Sequence, residues 1–405
     1  GSDIIGNDNQ FTPLWNVGLR WNLHREEFMK RWMWVDQFAV RGGFGYTGSI
    51  DKNALPFVVM TLGQSVIYDG QTVPTSFSYP NPNVKWQTKQ DMNVGLDLSL
   101  FDYRLELGVN YYNNITRDVL DRKALPYSSG RSEVTENVAD IYNSGWEIDL
   151  GVTLLKNKSF QWYAKANIAI NDNKVKNTYY KDTKDLPKAT LSNAHQFVEN
   201  QPVNGWYGYK FAGINPINGA VMTYTGNGEA TLDMSVSGAT WPIPSVFYLG
   251  NLTPPVVGGF STSANWKQLI FSANFEFKTG HKIKSFNTFR SLDARNRHTS
   301  EANRWREPGD ITNVPAMSEA FTTYSSYMYD ILLEKGNYLR CSYMTLGYNL
   351  KPEWLHKIGF STARLSFTAK DLFTVSSYSG IDPALMGSFG YPNSRKYTIT
   401  LNVGF

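Results

Sequence analysis

Val84-Lys85-Trp86-Gln87-Thr88-Lys89-Gln90-Asp91-Met92-Asn93-Val94-Gly95-Leu96-Asp97-Leu98-Ser99-Leu100 alternates apolar and polar side chains with little interruption. One side of an extended chain would carry Val84, Trp86, Thr88, Met92, Val94, Leu96, Leu98 and Leu100; the other would carry Lys85, Gln87, Lys89, Asp91, Asn93, Asp97 and Ser99. Side chains of a strand point to opposite faces in turn, so the run predicts a strand with one oily and one wet face. Strands of soluble proteins are typically about 5–6 residues long. A strand that crosses a bilayer needs about 9–11 residues within the hydrocarbon and often continues beyond it. The length of this run favours a membrane barrel over a soluble sandwich.

The same alternation recurs at about 12–23, 36–50, 105–120, 138–154, 160–175, 255–266, 268–284, 337–350, 362–375 and 395–405, which makes about eleven strands in all. Trp162, Ala164, Ala166, Ile168 and Ile170 share one face, as do Leu269, Phe271, Ala273, Phe275 and Phe277, and Tyr397, Ile399, Leu401, Val403 and Phe405. Lys165, Asn167, Glu276, Lys278, Lys396, Thr398 and Asn402 fall on the opposite faces, as a hydrated interior requires.

The connections are of two kinds that alternate along the chain. Phe101 to Arg104, Lys156 to Ser159 and Trp266 to Gln268 are tight turns, and 24–35 and 351–361 are modestly longer. Between them lie long stretches rich in Gly, Pro, Asn and Ser, near 51–83, 121–136, 176–254, 285–336 and 376–394. Short connections on one side and long ones on the other are the layout of an outer-membrane barrel, with short periplasmic turns and long extracellular loops. The predicted fold is therefore all-β, a transmembrane antiparallel β-barrel.

An odd number of strands with its ends on opposite sides cannot close an antiparallel bacterial barrel, so further strands are expected from elsewhere. The chain begins Gly1-Ser2-Asp3 with no signal peptide, which a secreted barrel needs. It therefore reads as a fragment.

Composition agrees with a barrel wall. Aromatic residues make up 15% of the chain while apolar residues reach only 41%, as expected of a wall that is oily outside, wet inside and ringed with Trp and Tyr. The 39 basic and 35 acidic residues are spread without single-sign blocks, so nucleic acid is not an indicated partner. The single cysteine, Cys341, forms no internal disulfide and offers no zinc set. No apolar run approaches the roughly 18 residues of a spanning helix.

Seven stretches, in this order, resemble the SusC/RagA-type TonB-dependent transporters of Bacteroidetes: FAVRGGFGYTGSID (38–51), NPNVKWQTKQDMNVGLDLSLFDYRLELGVNYYNNITRDVL (81–120), NSGWEIDLGV (143–152), GWYGYKFAGINPINGAV (205–221), RWREPGDITNVP (304–315), NYLRCSYMTLGYNL (337–350) and YSGIDPAL (378–385). The terminal strand ending on Phe405 also looks like the signal read by the barrel-insertion machinery. The resemblance covers essentially the whole chain. It implies a barrel of about twenty-two strands, of which residues 1–405 would be the C-terminal half. The plug, the TonB-contacting segment and the first barrel strands would lie outside this chain.

The same resemblance implies import of nutrient oligomers across the outer membrane of a Gram-negative bacterium, favouring oligosaccharide over oligopeptide. It also implies a SusD-like surface lipoprotein as lid, the TonB complex as energy source, and a dimer of transporter–lipoprotein pairs. No cofactor and no enzymatic activity are expected. The alternatives are an outer-membrane barrel enzyme and a soluble carbohydrate-binding β-protein.

Aromatic side chains in the long loops are the candidate substrate contacts, because their faces stack on sugar rings or peptide side chains. Trp206, Tyr207, Tyr209, Trp241, Trp305 and Tyr324 are singled out, with Tyr248, Tyr327 and Tyr329 in the same stretches. Each could equally pack the loops together or seal against the lid. Gly43 to Gly48 fits the GxGxxG pattern, but Phe38, Val40, Phe44 and Tyr46 mark it as a glycine-relieved strand. The histidines, His24, His195, His281, His298 and His356, show no ligand spacing. Glu147 and Asp149 should face the lumen together; they read as channel lining rather than a catalytic pair. Asn303 to Pro315 and Tyr378 to Pro383 read as shaped loops. Asn114-Ile115-Thr116 and Asn251-Leu252-Thr253 are chance matches to the glycosylation pattern.

Overall fold

The computed structural model describes residues 11–49, 59–68, 71–78, 81, 83–124, 128, 133–183, 197–232, 246–285, 302–316, 329–355, 359–386 and 390–405. In chain order the strands are β1 (Trp15–Asn22), β2 (Val35–Ser49), β3 (Val59–Tyr68), β4 (Gln71–Ser78), β5 (Gln87–Leu100), β6 (Leu105–Ala124), β7 (Glu133–Lys156), β8 (Phe160–Lys176), β9 (Gly205–Gly208) and β10 (Phe211–Ile214). They continue as β11 (Val221–Tyr224), β12 (Ala230–Leu232), β13 (Phe247–Asn251), β14 (Val256–Trp266), β15 (Leu269–Thr279), β16 (Lys282–Lys284), β17 (Leu333–Lys335), β18 (Tyr338–Asn349), β19 (Thr362–Ser376) and β20 (Lys396–Gly404).

Eleven of these form one sheet in the order β1-β2-β5-β6-β7-β8-β14-β15-β18-β19-β20. Every neighbouring pair is antiparallel. Sheet order follows chain order, so successive wall strands are joined across alternate ends.

Register separates the two faces. Leu96 pairs with Val109, Val109 with Ile148 and Ile148 with Ile168, giving an apolar row that runs straight across four strands. One residue along, Asp97, Gly108, Asp149 and Asn167 form the next row, on the opposite face. The apolar face is left uncovered: Leu19, Ile399 and Leu401 are 77%, 75% and 62% exposed. In water such a surface would aggregate; in a bilayer it meets hydrocarbon.

The polar face is laced with ions and amides. Arg20 and Arg41 approach Asp97 at 2.9 and 3.5 Å, Arg41 donates to Asn110 Oδ1 at 2.6 Å, and Lys165 lies 3.9 Å from Asp149. Glu147, two residues from Asp149, belongs to this same face.

The turn end is built by local capping. Phe101, Asp102 and Tyr103 all have positive φ (62°, 57° and 57°), and Asp36 accepts the Tyr103 N–H at 2.9 Å. Asn157 Oδ1 accepts from Ser159 N and Phe160 N at 2.9 and 2.8 Å, an Asx turn that reverses β7 into β8. The longer connections hold two 3₁₀ turns, Leu23–Arg25 and Glu27–Met29, and one helical turn, Pro352–Leu355.

At the other end the described parts of the long connections are built up rather than left as coil. β9 pairs with β13, β10-β11-β12 form a small sheet, and β16 pairs with β17. The alternating run 268–284 is therefore two strands, because Gly280, with φ 87°, ends β15 before β16 starts. Val198, Tyr207, Tyr209, Ile214, Val221, Val246, Val314 and Tyr329 close around one core, with Trp206, Leu249 and Leu333 in a second.

Candidate functional site

The loop body is sewn to the top of β8. Val175 N donates to Gln201 O at 2.8 Å, Asn200 N donates to Val175 O at 2.9 Å, and Val203 N donates to Asn173 Oδ1 at 2.8 Å. Val138, Ala139 and Val175 bury together beneath Phe197 and Val203. The body thus stands on the wall rather than swinging from it.

The loop aromatics form the interior of that body. Tyr207 is 1% exposed and packs at a tilt of 57° against Tyr248, with ring centroids 5.9 Å apart. Among the described residues its hydroxyl has no partner, and burial, then the neighbouring Tyr248, pushes its pKa well above the ordinary tyrosine value. Tyr209 packs on Tyr329 at 6.0 Å. Trp206, in the adjacent core, donates its indole N–H to Lys282 O at 2.8 Å, and the Lys284 ammonium sits 5.6 Å over its ring. Trp305 is less buried; it donates to Pro216 O at 3.1 Å and lies against Gly219, where φ is 71° and a Cβ would come within 2.5 Å of the indole.

The structure therefore brings Tyr207, Tyr209 and Trp305 together around one core and sets Trp206 in the next. Trp241 and Tyr324, with Tyr327, lie outside the described residues. The Tyr378–Pro383 segment is pinned to the wall: Arg340 on β18 donates to Asp382 Oδ1 at 2.6 Å and to Thr374 at 3.1 Å, with both charges buried. The Tyr378 hydroxyl donates to Lys284 O at 3.1 Å, and Ser379 donates to Glu334 through its backbone N–H and its hydroxyl.

Below the body, where β5 to β8 meet it, the polar face holds a cavity of about 380 Å³. Asn114, Asn143 and Asn173 follow one another in register across β6, β7 and β8 on its floor, with Asn171 one step along. Asn204 and Asn251 enter from the loop body. Sequence reasoning met Asn114 and Asn251 only as chance glycosylation matches and passed the others over. The signal was asparagine on the wet parity of three successive strands, which becomes a cluster only when register is known.

The chain has clear relatives. The family model described as TonB dependent receptor-like, beta-barrel, matches residues 2–276. Along its whole length the chain is 28% identical to TonB-dependent receptor P3 of Formosa agariphila, covering 43% of that protein. It is 22% identical to TonB-dependent receptor SusC of Bacteroides thetaiotaomicron, covering 41% of it.

Among solved structures, the RagAB peptide transporter superposes with a TM-score of 0.77 at 25% identity, over 99% of this chain and 44% of that one. The RagAB peptide importer in its open-open state gives 0.78 at 26%, over the same shares. The chain spans under half the length of the relatives it matches. Oily outside, wet inside and matched by that model over most of its length, this chain belongs to the TonB-dependent receptor-like β-barrel family of the outer membrane.

Proposed function

We propose that this chain is the C-terminal half of a barrel of about twenty-two strands that imports nutrient oligomers through the outer membrane. The observation that carries the reading is the eleven-stranded wall itself, apolar outside, lined with amides and ions inside, and crowned at one end by a packed loop body. Its two edge strands, β1 and β20, have main-chain groups that a bilayer cannot satisfy, so closure requires partner strands. The N-terminal half of the same protein would supply them, together with a plug and the segment that contacts TonB. A SusD-like lipoprotein would cover the loop body, and transporter–lipoprotein pairs would associate as dimers.

Oligosaccharide is the favoured cargo. The inner wall suits hydroxyl-rich molecules, and the similarity to SusC extends along the whole chain. Oligopeptide is the second reading, favoured by the likeness to structures described as a peptide transporter and importer. The loop aromatics Trp206, Tyr207, Tyr209 and Trp305 would act chiefly by fixing the shape of the body that meets the cargo. Trp241 and Tyr324 are the ring candidates for direct contact.

Deleting the gene in its host and feeding labelled oligosaccharide and oligopeptide pools tests the reading. Uptake should fall in the deletion strain, return with the full-length gene, and stop when a protonophore collapses the energy that TonB transmits. Unchanged uptake of both pools in the deletion strain would overturn it.

A further inference from the structure

The asparagine-lined cavity under the loop body has the chemistry of a binding site. Among the described residues Asn114 has no side-chain partner, and Asn143, Asn171 and Asn251 use only their carbonyl oxygens. Asn204 uses only its N–H group, donating to Thr253 at 2.9 Å. Free donors and a free acceptor therefore converge on one space. An amide offers both in neutral form, which matches a hydroxyl, itself donor and acceptor.

Charge and shape narrow the ligand. The one cation of the lining, Lys89, is matched by Asp91 at 2.5 Å, so the cavity carries no net charge to attract an acid or a base. Pro202, Val203, Pro254 and Pro255 give it an apolar lip facing the amide floor. A pyranose has the same two-sided character, with C–H groups on its faces and hydroxyls around its rim. The volume falls in the range of about 300–1,000 Å³ usual for small-ligand sites. The floor is also braced: the Tyr112 hydroxyl donates to Asn171 Oδ1 at 2.8 Å, passing Gly145, where a Cβ would come within 2.5 Å of the Tyr112 hydroxyl oxygen.

We propose that this cavity is a subsite on the inner wall for an uncharged sugar unit of the cargo, selecting neutral over acidic oligosaccharide. The proposal rests on the importer reading. A passing sugar would exchange hydroxyl–water bonds for bonds to Asn114, Asn143 and Asn171 while its C–H face meets the proline lip.

The test uses the full-length transporter in outer membranes, carrying Cys341→Ser and Thr116→Cys, and a water-soluble maleimide. Thr116 lines the cavity and is close to cysteine in volume. The probes are pools of neutral glucan, mannan and galactan oligosaccharides, oligogalacturonates, and tryptic peptides. Labelling should be fast without ligand and slowed at least severalfold by a neutral pool, while oligogalacturonates and peptides leave it unchanged. Asn114→Leu or Asn171→Leu should raise the concentration of neutral pool needed for half-protection about tenfold, as expected for one lost hydrogen bond.

No labelling in ligand-free membranes would mean that protein fills the cavity, and would overturn the proposal. Equal protection by peptides or oligogalacturonates would overturn its selectivity. Uptake of a pool in the same cells with labelling undiminished would remove the subsite and leave the importer standing. Absence of all uptake and all protection would remove both.

Discussion

The wall and the loop body are made from the same kinds of residue under opposite rules. In the wall the large apolar side chains are the exposed ones, Ile399 among them, and order comes from unbroken ladders such as the eleven paired positions of β14 and β15. In the body the large side chains are the hidden ones: Tyr329 is fully buried, and Val198 and Val221 nearly so. The difference is one of solvent. Hydrocarbon gives no reward for hiding a leucine and a heavy penalty for an unpaired amide, so the wall is held by main-chain pairing. Water rewards burial, so the body has a core.

If two solvents govern two regions, a core deletion should act on one alone. Tyr329→Ala removes a ring at the centre of the body's larger core and should cost that body about 3–5 kcal/mol. Trypsin should then cut the loops quickly, while the wall keeps its resistance to unfolding in detergent and its shifted mobility when unheated. Loss of that wall signature in step with the loops would show one cooperative unit and break the comparison.

Asp382→Ala probes the joint between the regions. It leaves the Arg340 guanidinium buried with Thr374 at 3.1 Å and Glu276 at 3.9 Å, where one partner is lost but the charge remains. Removing one member of a buried pair typically costs about 3–5 kcal/mol. The Tyr378–Leu385 segment should gain hydrogen exchange while the core around Tyr329 does not. An Asp382→Ala, Arg340→Met double variant should recover part of the loss, since no charge is then stranded.

Ile399→Arg strikes the other solvent. On the oily face of β20 it should cost about 2–4 kcal/mol if the position sits near the bilayer midplane, and less towards an interface. Folding yield of the full-length protein into lipid vesicles measures this. Thr398→Arg, one residue away on the wet face, should fold nearly as well as the unchanged chain. Similar losses at both positions would contradict the assignment of faces.

These contrasts explain what was legible in the sequence. Wall strands were readable because lipid on one face and water on the other impose period two locally, and each facing set, such as Tyr397 to Phe405, lies within one segment. The alternating lengths of the connections showed which end of the wall turns tightly and which carries the loops. The body was not readable in that way. Its core joins Val198, Tyr209, Val246, Val314 and Tyr329, which are far apart in the chain and share no period. A loop tryptophan that packs a core looks no different in the sequence from one left open, and only the contacts set Trp206 in one core and Trp305 against the other. The cavity floor was hidden for a related reason: Asn114, Asn143 and Asn173 become neighbours only through register between strands.

The smallest effect expected concerns pH and lies in the body alone. His281 follows the break that ends β15; it is buried, its Nδ1 has no partner among the described residues, and its carbonyl accepts the Gly336 N–H at 3.0 Å. Burial, and then the Lys278 charge, hold its pKa below the ordinary histidine value. In the closed body the ring therefore takes up a proton less readily than in an opened one, where it does so near pH 6.5. Opening binds a proton, so the stabilisation is complete above that pH and declines as pH falls from there towards the depressed folded value. Hydrogen exchange at Gly336 and along β16 and β17, corrected for intrinsic rates, should reveal less protection at pH 5 than at pH 7.5. His281→Gln should flatten that difference while leaving exchange in the wall ladders untouched. If the pH dependence persists in the glutamine variant, another group controls the opening, and His281 serves packing only.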